Sequence, residues 1–472
     1  MFKTNPNIRW RWENKEKILL NTLVGMNRTA GEILEFCQMG TDIDDVIFAM
    51  KERYPKTEYS KLRMDIKEII DKFLKLNILI PNDCRNYGNL PLPSIPSYLD
   101  HVLSYFEGGL KAPIGVACEI TGACNAKCLH CSVQATRLPS PNELTTEEWK
   151  RVIDELCDLE VFEITFTGGE PLLRPDLEEL IEYSSGKGLT TTLLTNGYYL
   201  TESKLESILS AGVNGIIVSL DGADAETHDK FRGLNGLYDR VIELIALLVE
   251  RNLSVGVVTT ISKMNIHQIV DIIELVEELG VPGISLASFR QSGYGKENAY
   301  LSPSMEEYTK LLTEVGAKEQ KLHRLQIKYP NLPAPCFLKS IGPNRYEELK
   351  EQGKVGLCGA GIIGCAISPD GEIKPCDMSG SVALGNVREK SIKEIWSSSY
   401  VFKHLRRIRA SDQVPCNRCD LSIANICPMG CKALPSQIEE AENMFNVDPL
   451  RMHCFSYMRS GVTGCADIIP TK

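Results

Sequence analysis

Nowhere in the 472 residues is there an apolar run near the roughly 20 positions that a membrane-spanning helix needs. Behind Met1 the stretch FKTNPNIRWRWENK offers no hydrophobic signal segment. The expectation is a cytoplasmic protein with no membrane partner. Positive charge is also in short supply: 52 Lys and Arg face 62 Asp and Glu, a formal net charge of −10. That balance argues against broad nucleic-acid binding and leaves open only a local basic groove. The composition is neither that of a disordered chain nor that of a fibrous one. The length exceeds one ordinary core, so about two to four domains are expected.

Cysteine is what the chain has in excess, with 17 residues. A cytoplasmic compartment keeps thiols reduced, so ligation of metal is the leading explanation wherever the spacing supports it. Cys124, Cys128 and Cys131 follow the pattern C-x3-C-x2-C. Three thiolates on one short loop can wrap a corner of an iron–sulfur cubane, which normally takes four cysteines, and so leave one iron open. The alternatives are buried thiols or a zinc site, for which His130 is the only local fourth ligand. His130 reads better as packing beside a cofactor.

Periodicity divides the chain. Residues 1–90 show two alternating stretches, Ile8–Trp12 and Lys17–Leu20, then helical patterns over Thr29–Cys37, Ile43–Tyr54 and Tyr59–Leu76. Asn82 to Ser97 is rich in Asn, Pro and Leu and reads as a linker, with residues 91–112 assigned to the linker between domains. Over 113–320 strands and helices alternate, with strands expected at Ile114–Ile120, Glu163–Phe166, Thr190–Leu194, Gly215–Leu220, Ser254–Thr260 and Gly283–Ala287. Such repetition implies a parallel sheet with right-handed crossovers, and about six units suit a partly closed barrel. After Tyr300 the periodicity fades, and 321–472 is dominated by cysteine.

The cysteine loop follows the first barrel strand, and further motifs fall at strand ends in order: Gly168, Gly169, Glu170 and Pro171; then Thr195, Asn196 and Gly197; then Ser219 and Asp221; and finally Arg232. In this register the chain resembles the radical S-adenosylmethionine (SAM) superfamily. The resemblance implies a partial (β/α)6 barrel whose open iron is chelated by SAM, with release of a 5′-deoxyadenosyl radical. It implies that Gly168, Gly169 and Glu170 meet the methionine end of SAM, that Asn196, Ser219 and Asp221 lie at the ribose, and that Arg232 meets the carboxylate. A low-potential electron donor such as flavodoxin or ferredoxin is implied too.

Eight cysteines remain toward the C-terminus: Cys358, Cys365, Cys376, Cys416, Cys419, Cys427, Cys431 and Cys454. Two zinc sites are one reading of them. Their order resembles the SPASM extension of radical SAM peptide maturases, which implies one cluster on Cys358, Cys365, Cys376 and Cys431 and another on Cys416, Cys419, Cys427 and Cys454. That makes three [4Fe–4S] clusters in all. The Cys419–Cys427 spacing is longer than the family pattern. Gly359, Gly361 and Gly364 match a dinucleotide fingerprint, but no strand–loop–helix unit surrounds them. Cys118 and Cys157 read as core, Cys37 and Cys84 lack cluster spacing, and Cys336 and Cys465 are possible substitute ligands.

Residues 1–90 resemble the winged-helix recognition element of enzymes that modify ribosomally made peptides, which accepts a leader peptide as an added strand. The resemblance as a whole implies a maturase that forms a thioether cross-link of the sactipeptide or ranthipeptide kind. Carbon–carbon cross-linking, modification of a cofactor or tetrapyrrole, and a non-catalytic iron–sulfur protein are the alternatives.

Overall fold

The computed structural model describes residues 1–21, 24–38, 40–84, 106, 109–329, 358–379 and 383–407. The chain divides into two compact units, with the break between Lys111 and Ala112. In the first unit β1 (Phe2–Thr4) pairs antiparallel with β5 (Leu79–Pro81). The alternating residues of β2 (Trp10–Asn14) and β3 (Lys17–Leu20) form a hairpin, with Trp10 opposite Leu20, and β4 (Gly25–Asn27) adds to the other side of β3. Helices Arg28–Phe36, Ile43–Arg53 and Tyr59–Lys75 follow. The first two begin where the Asn27 and Asp42 side chains accept from backbone amides of the opening turn. Their apolar stripes, including Ile33, Leu34, Met50, Ile66, Ile70 and Phe73, close on Ile18 and Leu20. Periodicity extends the third helix to Leu76, but Asn77 turns left-handed (φ 54°) and feeds the chain into β5. Strands of three residues, such as β1, β4 and β5, are too short to register as a period of two. The end of the expected linker is held on this unit, because the Lys111 amide donates to Glu13 Oε2 at 2.7 Å.

The second unit is built on a nine-stranded sheet. Its strands are β6 (Gly115–Thr121), β7 (Glu163–Gly168), β8 (Thr190–Thr195), β9 (Gly215–Ser219), β10 (Val255–Ile261), β11 (Gly283–Ser288), β12 (Gln326–Lys328), β13 (Gly364–Ile367) and β14 (Ile373–Lys374). The order is β12-β11-β10-β9-β8-β7-β6-β13-β14. All neighbours are parallel except β13 and β14, which form an antiparallel hairpin. The six expected strands are β6 to β11. The sheet continues beyond them at both edges, with β12 on one side and the β13–β14 hairpin of the cysteine-rich segment on the other. The fold is therefore a partial α/β barrel, an N-terminal unit and a C-terminal extension that completes one edge of the barrel.

Helices cover the sheet with buried stripes. Trp149, Val152, Ile153 and Leu156 come from Thr146–Asp158, and Ile269, Ile272, Ile273 and Val276 from Ile269–Glu278. A helix at Met305–Glu319 escaped the periodicity reading, although Ser304 and Glu307 form a capping box at its start. Cys118 is fully buried in the core, as its strand position implies. The glycine-rich run Gly359–Gly364 leads into β13 and its hairpin, which is not a dinucleotide-binding context. Among the described residues no helix is long and apolar enough to cross a membrane.

Candidate active site

The carboxyl ends of β6 to β11 surround one cavity of about 190 Å³. Cys124, Cys128, Cys131, Gly168, Gly169, Asn196, Ser219 and Arg232 all line it. Glu170 and Asp221 lie behind the wall, and both are fully buried.

The glycine loop is packed against the segment that leads into the cysteines. Gly169 N donates to Thr121 O and Glu170 N to Ala123 O, each at 2.7 Å. A Cβ on Gly169 would fall 2.1 Å from Ala123 O, and one on Gly168 (φ +126°) 2.4 Å from Thr121 O. Neither position admits a side chain without separating the two loops. The Glu170 carboxylate accepts from Leu172 N at 3.1 Å, Thr195 Oγ1 at 2.7 Å and Asn196 N at 2.8 Å. It therefore pins the end of β8 to the glycine loop. Burial raises its pKa, against the pull of those three donors.

Each cysteine sulfur has an N–H group directed at it. Asn196 Nδ2 lies 4.0 Å from Cys124 Sγ, Arg232 Nη1 3.8 Å from Cys128 Sγ, and Ala135 N 3.5 Å from Cys131 Sγ. Burial pushes the Cys124 thiol up to about 12 and Cys128 to about 11, with Arg232 pulling the latter back. Burial thus favours the neutral thiol at Cys124 and Cys128, whereas a bound metal deprotonates its thiols outright. Three sulfurs that already meet N–H donors suit anionic ligands on a cluster, because hydrogen bonds to cluster sulfurs stabilise added negative charge.

Arg232 is set by Asp221, which accepts from its Nε at 2.5 Å and from Thr260 N at 2.6 Å. Burial opposes charge on Asp221, yet Arg232 holds its carboxyl below the usual range. His130 stacks on Phe231 with ring centroids 4.3 Å apart. Burial and the nearby guanidinium push His130 down to about 3, so it stays neutral. Its Nδ1 is buried with no hydrogen-bond partner.

Sequence reasoning missed a second polar group in the cavity wall: Glu119, Arg290 and Asp377. Glu119 accepts from Lys374 Nζ at 2.8 and 2.7 Å, joining β6 to β14. Burial raises Glu119, and the Lys374 ammonium opposes the shift. The available signal was a charged residue inside the otherwise apolar run of β6. Cys358 and Cys376 are half-buried, and Cys365 is buried in β13 within the apolar core. Cys416, Cys419, Cys427, Cys431 and Cys454 lie outside the described residues, as do Cys336 and Cys465.

Comparison with known proteins bears on this geometry. The model of the radical SAM superfamily matches residues 118–278, and that of SPASM, an iron–sulfur cluster-binding domain, matches residues 358–420. An AdoMet-dependent heme synthase of Methanosarcina barkeri is 34% identical over 304 residues, covering 63% of this chain and 85% of that protein. The chain belongs to the radical SAM superfamily. A PqqA peptide cyclase of Bradyrhizobium diazoefficiens is 30% identical over 345 residues, covering 71% of this chain and 85% of that one. The crystal structure of Streptococcus suis SuiB bound to its precursor peptide SuiA superposes with a TM-score of 0.66 at 18% identity. It covers 96% of this chain and 100% of that one, and the likeness is one of fold. As a radical SAM protein with a SPASM domain, the chain takes SAM and [4Fe–4S] clusters as cofactors.

Proposed function

We propose that this radical SAM enzyme modifies a ribosomally synthesised precursor peptide and closes a thioether between a cysteine sulfur and a carbon. The observation that supports the peptide reading is the N-terminal unit, a small three-stranded sheet with three helices whose strands β2 and β4 are edges. An edge strand is where a leader peptide can add through backbone hydrogen bonds. The whole-length fold likeness to a protein solved with its precursor peptide agrees with that use. Carbon–carbon cross-linking uses the same first step and is the nearest variant of this proposal.

In this reading Cys124, Cys128 and Cys131 hold the catalytic cluster. Gly168 and Gly169 let SAM approach the backbone, Asn196 and Ser219 face its ribose, and Arg232, oriented by Asp221, faces its carboxylate. Glu170 acts from behind the wall by fixing the loop that carries the glycines. Together the bound cofactors supply one-electron cleavage of a SAM carbon–sulfur bond and a radical that abstracts hydrogen. Cys358, Cys365 and Cys376, with Cys431, are assigned to one auxiliary cluster and Cys416, Cys419, Cys427 and Cys454 to a second.

The identity to heme synthases favours a second reading, in which an iron tetrapyrrole is the substrate. The test is incubation of the reduced holoenzyme with SAM and a precursor peptide encoded beside its gene. Loss of two hydrogens and of one alkylatable thiol is the expected product. Loss of the hydrogens with every thiol retained would replace the thioether by a carbon–carbon bond. Turnover of an iron tetrapyrrole with no change in the peptide would overturn the peptide reading.

A further inference from the structure

Outside the wall of the cavity at the strand ends, the C-terminal extension holds a buried cation of its own. Arg406 stands in the helix Tyr400–Arg407 and is 6% exposed. Its guanidinium lies 4.2 Å from the Trp396 ring centroid and 5.5 Å from that of Phe402. Aromatic faces offset part of a cation's lost hydration, and arginine stays charged in proteins. Arg406 Nε donates to Gly361 O at 2.9 Å, and Nη2 donates to Trp396 O at 3.0 Å.

Gly361 lies in the turn between Cys358 and Cys365. Within that turn Gly361 N donates to Gly364 O at 2.8 Å and Ile363 N to Gly359 O at 3.0 Å. The turn is shut against the same helix, because a Cβ on Gly361 (φ +66°) would fall 2.6 Å from Phe402 Cδ1. Cys376 follows two residues after Lys374, which pairs with Ala366, the chain neighbour of Cys365. One turn and one hairpin thus supply three thiols, a donor set that fits a single cluster. Burial opposes charge on both Cys365 and Arg406, and each favours the other's ionised form.

We propose that Arg406 is the buried counter-charge of the auxiliary cluster on Cys358, Cys365 and Cys376, and that it raises the reduction potential of that cluster. The inference rests on the reading of those cysteines as cluster ligands. A [4Fe–4S] cluster on four thiolates is anionic, and one-electron reduction adds a further negative charge. A fixed cation held out of water favours the more negative state. Net charge and hydrogen bonding are among the terms that set such potentials. The guanidinium is anchored for this role, since it is bonded to the turn that joins two of the ligands. In the step itself the reductant loses one electron and the cluster gains it.

The test is a dithionite redox titration of the reconstituted full chain, followed by electron paramagnetic resonance beside iron content. A Cys128→Ala background removes the signal of the catalytic cluster. Arg406→Gln should lower the potential of one auxiliary cluster, by about tenfold or more in the ratio of reduced to oxidised cluster, or about 59 mV for one electron. The other auxiliary cluster is the internal standard and should not move. Arg406→Lys keeps the charge and should stay nearer the parent value. If Arg406→Gln fails to load iron, Arg406→Met takes its place with the same expectation. Loss of the cluster in both neutral variants, with loading kept in Arg406→Lys, would likewise mark the charge as what the site requires. An unchanged potential in an iron-replete neutral variant overturns the proposal. So does a shift or a loss of iron as large in Arg406→Lys as in the neutral variants. Full iron content in Cys365→Ala would instead sink the cluster assignment on which the proposal rests.

Discussion

Two neighbouring strands carry cysteines in opposite ways. β6 ends in a loop whose three sulfurs face a cavity and each meet an N–H group, from Asn196, Arg232 and Ala135. β13, paired in parallel beside it, carries Cys365 inside the apolar core, 5% exposed, where burial pushes the thiol up to about 12. In the first arrangement hydrogen bonds with Glu170, Asn196, Arg232, Phe231, Tyr294 and Asn298 hold the loop. The second places its cysteine in the sheet itself. The ligand set proposed for it draws on Cys431, far along the chain. A catalytic site needs its donors fixed in advance; an auxiliary site can let metal binding complete its fold.

The strongest way to break this contrast is to remove one cysteine from each strand. Cys128→Ala should abolish 5′-deoxyadenosine formation and lower iron by roughly four atoms per chain, read by chromatography and iron assay. Cys365→Ala should lose a similar amount of iron yet keep measurable SAM cleavage. Equal loss of cleavage in both would show that the two sites are not separable. Next in size is Arg232→Met, which leaves Asp221 charged and buried without its partner. A loss of about 3–5 kcal/mol is expected in urea titrations.

Glu170→Gln tests whether the wall behind the glycines works as a clamp. An amide N–H would then face the Asn196 or Leu172 amide, at an expected cost of about 1–3 kcal/mol. A raised KM for SAM should accompany it. The smallest effect concerns the tether between the C-terminal extension and the barrel, where Arg388 Nε and Nη2 lie 2.7 and 3.0 Å from the Glu148 carboxylate. Arg388, with the Thr145 amide, holds Glu148 at about 2, so the pair contributes above the usual carboxylate range and is lost as pH falls toward that value. Because Arg388 is 38% exposed, a double-mutant cycle at neutral pH should yield no more than about 1 kcal/mol.

The six barrel strands and their helices were legible because each carries a period of its own and a turn signal at its end. The residues proposed to face the cofactor stand out by their place at strand ends, and Gly168, Gly169, Asn196, Ser219 and Arg232 line one cavity. The roles of Glu170 and Asp221 were not. Sequence order shows that they stand in the motifs, but only packing shows that their carboxylates point away from the cavity and fix its walls. Glu119, Lys374 and Asp377 escaped for a different reason. Their meeting joins residues 255 positions apart in the case of Glu119 and Lys374, and no local pattern encodes such a contact. β13 and β14 share that origin, since a four-residue and a two-residue strand have meaning only against β6.

The pairing of β13 on β6 also sets an order of assembly. During synthesis β6 emerges early, and its other neighbour, β7, follows within about 50 residues of chain, a local closure by the standards of parallel sheets. The remaining edge of β6 stays open until residue 364 has left the ribosome, some 250 residues later in a chain made at about 5–20 residues per second. An open apolar edge is an invitation to wrong partners, and an inward-pointing charge is one of the devices that deter them. Glu119 is such a charge. Lys374, which comes with the partner strand, pairs with it in the folded chain.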